Sequence, residues 1–219
     1  MTARTIRTIG DPILSKVSDK VEEVDEGTRQ LIQDMVDTLK ASGGVGLAAP
    51  QVGFNKRIVV IDCTEIPGGN PLSENADDNF FTMINPETKL KGNRIRWREA
   101  CLSIPGVSGM VERNENIEVS FLNNLGTPVD MEIKWPLSGI VQHECDHLEG
   151  ILYPDRMSQL TRNMLYKKLE KIKKKFKKAY ENASSEKRGS SRPKNLKAVK
   201  SRRQTSKAAR VSRRASRSR

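Results

Sequence analysis

Between residues 28 and 41 the apolar side chains Leu31, Met35 and Leu39 recur every fourth position, with Ile32 and Val36 beside them and Gly43-Gly44 directly after. Steps of four lay one stripe along one face of a helix, and glycine ends a helix, so the pattern predicts an amphipathic helix over 28–41. The next segment, Gly44-Val45-Gly46-Leu47-Ala48-Ala49-Pro50-Gln51, is too rich in glycine for a regular element. Residues 57–63 then hold the β-branched run Ile58-Val59-Val60-Ile61, which predicts a buried strand. Polar residues with Pro67, Gly68, Gly69 and Pro71 mark 66–79 as a surface insertion. From 80 to 133 the pattern predicts several short antiparallel strands, among them 117–122 and 129–133, joined by the turn Asn123-Asn124-Leu125-Gly126. Pro136 opens a helix that carries Ile140, Val141 and Leu148 and stops at Gly150.

A second long helix is predicted over 160–180, with Leu165, Leu169, Ile172 and Phe176 on one face and eight lysines over the rest. Beyond Ala183 serine, arginine and lysine replace nearly every apolar residue. Too little can be buried there to offset the entropy of ordering the chain, so 184–219 is expected to be disordered. The fold class is α+β, with a body over 1–156, a basic helix over 157–183 and a basic tail over 184–219.

Charge sharpens that division. Residues 1–156 hold 16 basic and 24 acidic side chains, whereas 157–219 hold 23 basic and 3 acidic. An acidic body suits a soluble enzyme, and a basic end is the footprint of a segment that meets a polyanion such as RNA. No apolar run approaches the roughly 18 residues that span a bilayer. The start also lacks the apolar core of a secretory signal, so a cytoplasmic location with no membrane partner is expected. Three cysteines, Cys63, Cys101 and Cys145, make no disulfide framework.

The chemistry gathers in Gln142-His143-Glu144-Cys145-Asp146-His147. Imidazoles at i and i+4 share one helix face and can meet one metal ion, with Glu144 beside them as a general base. His143 and His147 are the only histidines of the chain, so the third ligand is a carboxylate or a thiolate. Cys101, before the turn Pro105-Gly106, is the thiolate candidate, while Cys63 in its apolar strand and Cys145 off the histidine face suit packing. The carboxylate candidate is Glu170, the arrangement of a zinc endopeptidase, although Lys168 and Lys171 around it make it look like a helix charge pair. Gly44 and Gly46 allow an extended peptide to approach the backbone closely.

Three stretches, 44–51, 99–103 and 142–150, resemble the three signature motifs of the peptide deformylase family, in the family's order and spacing. The opening Gly10-Asp11-Pro12-Ile13-Leu14 and the basic helix resemble bacterial members, so the likeness covers about 180 residues. The resemblance implies antiparallel β-sheets around a central helix that carries the two histidines. It implies one divalent metal ion held by Cys101, His143 and His147, Fe(II) as in typical members and Zn(II) as the alternative. Glu144 is then the catalytic acid and base. Gln51, through its side-chain amide, and Leu102, through its backbone N–H, stabilise the oxyanion, and Gly44, Val45, Gly46, Glu99 and Ala100 contact substrate. The implied substrate is the N-formylmethionyl end of a nascent peptide, and the implied second partner is the ribosome, met by the basic helix and tail. The chain departs from the family at Ala100, where glycine is usual, and in a longer 67–79 insertion.

Overall fold

The computed structural model describes residues 3–73 and 78–190, the side chains of 179–190 excepted. In chain order the elements are helix α1 (Glu26–Ser42), strands β1 (Gly46–Ala48), β2 (Ile58–Asp62), β3 (Phe80–Ala100), β4 (Ser108–Leu122) and β5 (Pro128–Lys134), and helices α2 (Leu137–Leu148) and α3 (Gln159–Ser190). Short 3-10 turns lie at Pro12–Ser15, Ala49–Val52 and Tyr153–Arg156. The class is α+β with an antiparallel sheet.

Helix α1 starts two residues before the predicted 28 because the Asp25 side chain caps it, accepting the Thr28 N–H at 2.7 Å. It ends where Gly43 adopts φ 65°, the left-handed conformation that costs glycine little. Leu31, Met35 and Leu39 are all buried, against Ile58, Val60 and Ile84 of the sheet. The alternate residues of β2, Val59 and Ile61, point to the other face, where Val141 and Leu148 of α2 meet them. The unbroken apolar run of β2 therefore reflects a strand covered on both sides.

Among the described residues all five strands pair antiparallel, in chain order, in one sheet. The expectation of short strands fails over 80–122, where β3 runs 21 residues and β4 runs 15. Continuity through β3 rests on register shifts between Ile84 and Glu87 and between Lys91 and Arg94, with Gly92 at φ 71° in the second. The charged residues of β3 are held by cross-strand ion pairs, Lys89 and Lys91 with Glu118 and Arg94 with Glu112.

The chain divides into two compact units, Met1–Lys177 and Lys178–Arg219. Within the first, Leu165, Leu169 and Ile172 of α3 join Ile9, Val111 and Tyr153 in a third apolar cluster. Leu169 is buried there, a contribution of about 2 kcal/mol by area. Of the second unit the structure describes only the helical backbone to Ser190, which includes 184–190, part of the stretch expected to be disordered. The rest of that tail, 191–219, lies outside the described residues, as do 74–77 of the insertion.

Candidate metal centre

Helix α2 and the end of β3 build the site from opposite sides. His143 and His147 lie one turn apart on α2, and Cys101 follows the last residue of β3. One ligand atom from each of the three falls within 4.8 Å of the others, and Cys101 Sγ stands 3.3 Å from His147 Nε2. Cys63 is buried in the core, and Cys145 packs beside it at the edge of the same cluster. Burial pushes the Cys63 thiol up to about 11 and the Cys145 thiol up to about 12. Glu170 pairs with Lys173 at 3.2 Å and is not among the three residues whose ligand atoms cluster.

His143 is oriented by a second contact. His143 Nδ1 lies 2.7 Å from Glu99 Oε2, which leaves Nε2 for the cluster. Arg113 grips the same carboxylate, donating from Nε to Oε1 at 2.7 Å and from Nη2 to Oε2 at 3.0 Å. Its Nη1 donates to Asp146 Oδ2 at 2.6 Å, and Asp146 is held in turn by Arg156. The chain thus ties β3, β4, α2 and the following turn together beneath the ligands. Burial alone would raise Glu99, yet the hydrogen bonds from His143 and Arg113 hold its carboxyl at about 2.

Burial, with the charges of His143 and Arg113, pulls His147 well below the ordinary imidazole value, so it stays neutral with a lone pair to offer. Its Nδ1 is buried without a partner. His143 moves the other way, burial opposing and its contacts with Cys101 and Glu99 prevailing. A field that draws a proton onto an imidazole beside a thiol draws a divalent cation as well, and the donor set fits one.

Glu144 faces the same space. Its Oε2 is buried without a partner, and burial pushes its carboxyl up to about 7, Glu99 adding and His143 opposing. Gln51, 1% exposed, has its amide fixed by the Ala48 N–H, which donates to Oε1 at 2.8 Å. Its Nε2 is thereby turned toward Ser103 Oγ at 3.2 Å and Cys101 Sγ at 3.5 Å. Gly44, Val45, Gly46, Gln51, Glu99, Ala100, Cys101, Leu102, His143 and Glu144 all line one cleft of about 710 Å³. His147 lies beneath it, so the structure brings every predicted site residue to one place.

Both glycines also stand close to neighbouring side chains. A Cβ on Gly44 would stand 2.7 Å from Leu102 Cδ1, and one on Gly46 2.3 Å from Glu144 Oε1. Sequence reasoning missed Arg113, Asp146, Trp97 and Ser103. Asp146 sits three residues after His143, a spacing that places it one turn along α2 and could have flagged it. Nothing near Arg113 in the chain points to its role.

A thiol, two imidazoles and a buried carboxyl around one point at the floor of a cleft make a hydrolase centre of the metal-dependent class. Residues 3–163 match the family model for polypeptide deformylase, and the chain belongs to that family. A peptide deformylase of Acetivibrio thermocellus is 44% identical over 158 residues, covering 72% of this chain and 85% of its own. One of Aquifex aeolicus is 37% identical over 169 residues, covering 77% and 96%. The crystal structure of a peptide deformylase from Legionella pneumophila matches with a TM-score of 0.68 at 36% identity, covering 79% of this chain and 96% of its own.

Proposed function

We infer that this protein removes the formyl group from the N-terminal methionine of newly made proteins, releasing formate and a free amine. Family membership supplies the activity. The observation that carries it is the convergence of Cys101, His143 and His147 beside a buried, partnerless carboxyl oxygen of Glu144.

Cys101, His143 and His147 would hold one divalent ion. Bound there, the ion would supply Lewis acidity and bring the pKa of water to near 7. Glu144, poised near neutrality by burial, takes the proton of the attacking water and returns it to the departing amine. The Gln51 amide, held by Ala48, and the Leu102 N–H donate to the formyl oxygen as negative charge builds on it. Donors of that kind are commonly worth roughly 3 to 4 kcal/mol each. Gly44, Val45 and Gly46 on one side and Glu99 and Ala100 on the other border the peptide. The Ala100 methyl, exposed at the rim, narrows the cleft relative to glycine. One thiolate with two imidazoles suits Fe(II) and Zn(II) alike, and the family's habit favours Fe(II).

In this reading 1–156 is the catalytic body, with α2 as its central helix, 157–183 a docking helix and 184–219 a basic tail. No helix among the described residues is long and apolar enough to cross a membrane. The lysines at 167, 168, 171, 174 and 175 of α3 are exposed and suit rRNA at a ribosome in the cytoplasm, where formylated chains emerge. The test is purification without oxygen, measurement of bound metal and assay of formate release from formyl-Met-Ala. One metal per chain and steady formate release support the reading; a metal-loaded protein that releases none overturns it.

A further inference from the structure

Trp97 stands two residues before Glu99 on β3, so both side chains leave the strand on the same face. The indole N–H of Trp97 donates to Glu99 Oε1 at 2.9 Å. Glu99 therefore receives four donors: two from Arg113, one from Trp97 and the Nδ1 of His143. Trp97 and His143 reach the wall of the 710 Å³ cleft, and Arg113 does not. The body of the indole thus faces the space where substrate lies, while its polar edge grips the carboxylate that aims His143.

The other side of the ring is fixed by an unusual fit. Trp97 meets Trp135 edge to face, ring centroids 4.7 Å apart. Gly139, one helical turn before His143 on α2, lies under both: a Cβ there would stand 2.7 Å from Trp135 Cζ3 and 3.2 Å from Trp97 Cζ2. The aromatic pair can rest on α2 only because position 139 has no side chain.

We propose that Trp97 is a positioning residue, which couples a side chain lodged in the cleft to the orientation of His143 by way of Glu99. It is also the aromatic wall against which an unbranched thioether side chain packs. Sulfur against a ring edge or face is a favourable contact, so the same indole that sets His143 senses whether methionine is present. The inference rests on the cleft's holding the formylmethionyl end, and it adds a residue that neither the motifs nor the ligand set contain.

Trp97→Phe keeps the ring and removes the N–H. Its expected effect is a loss of about tenfold in kcat on formyl-Met-Ala, with KM changed less than about twofold, as for loss of one hydrogen bond to a charged group. Gly139→Ala displaces the pair without touching Glu99, and is expected to lower kcat in the same direction. Trp97→Leu removes the wall too, so the preference for formyl-Met-Ala over formyl-Ala-Ala, as a ratio of kcat/KM, is expected to fall by about tenfold. The chain has two tryptophans, so in a Trp135→Phe protein that still releases formate, Trp97 emission reports alone. The product dipeptide Met-Ala, added to the metal-loaded enzyme, is expected to shift that emission with the same midpoint at which it inhibits. A Trp97→Phe enzyme with undiminished kcat overturns the positioning role. Emission unmoved at inhibitory Met-Ala, or an unchanged substrate ratio in Trp97→Leu, overturns the wall. Loss of formate release by the unaltered enzyme would instead strike the assignment of function.

Discussion

Gly46 and Glu144 fit as void and filling: the carboxyl oxygen Oε1 of Glu144 stands 2.3 Å from where a Cβ on Gly46 would be. No side chain at 46 is compatible with that carboxyl position, and contact closer than 3 Å forces something to move. Gly46→Ala is therefore expected to displace Glu144 rather than to unfold the protein. Proton transfer by a placed general base is worth about 100-fold or more, and kcat should fall by at least a tenth of that while bound metal stays at the level of the unaltered protein. Metal analysis beside a formate assay checks it.

Glu99 ties stability to pH. Its folded carboxyl sits at about 2 against an ordinary value of 4.5, a depressed value, so the stabilisation is present above the unfolded value and lost as pH falls through the folded one. Between about pH 4.5 and 2 the metal-free protein should lose on the order of 3 kcal/mol from this group. Glu99→Gln leaves Arg113 buried without its full partner, at a cost of about 3 to 5 kcal/mol near neutral pH. Denaturant titrations from pH 7 down to 3 should show a shallower acid slope in Glu99→Gln than in the unaltered protein. Equal slopes would show that the carboxylate is not held as described.

The proposed metal ligands make a sharper division. Cys101→Ala removes one of three donors, and it should abolish stoichiometric metal binding and formate release together. Glu170→Gln, which disturbs only an ion pair on α3, should leave both within about twofold of the unaltered protein, as surface pairs contribute little. A chelator should remove activity, and added Fe(II) or Zn(II) should restore it in the unaltered protein but not in Cys101→Ala. Retained metal in Cys101→Ala would break the proposed centre.

What the sequence made legible follows the range of the signal. His143 and His147 are close in the chain, and their spacing alone placed them on one face of a helix with Glu144 beside them. Leu31, Met35 and Leu39 announced α1 by the same local rule. The long β3 was hidden because Lys89, Lys91 and Arg94 look like loop residues until Glu118 and Glu112 arrive from β4. Arg113 was invisible for a related reason: its partners Glu99 and Asp146 lie 14 and 33 positions away. Trp97 and Gly139 show the limit most plainly, since the need for glycine at 139 exists only once two tryptophans from other elements rest on it.

The basic end carries the last prediction. Residues 184–219 hold 14 basic side chains and one acidic, and the cleft is lined by residues between Gly43 and Glu144. Deleting them should therefore leave turnover of formyl-Met-Ala unchanged within about twofold, because a short peptide meets only the body. A polyanion such as the ribosome is different. Each phosphate neutralised by lysine or arginine releases counterions, so log affinity falls with log salt by roughly 0.7 to 0.9 per contact. If the tail supplies even a third of its cations to rRNA, its removal should flatten that dependence by about three to four units and weaken binding most at low salt. Sedimentation with ribosomes across a salt series reads both quantities. Identical affinities and slopes for the full and shortened chains would leave α3 as the sole basic contact and remove the tail from the proposed interface.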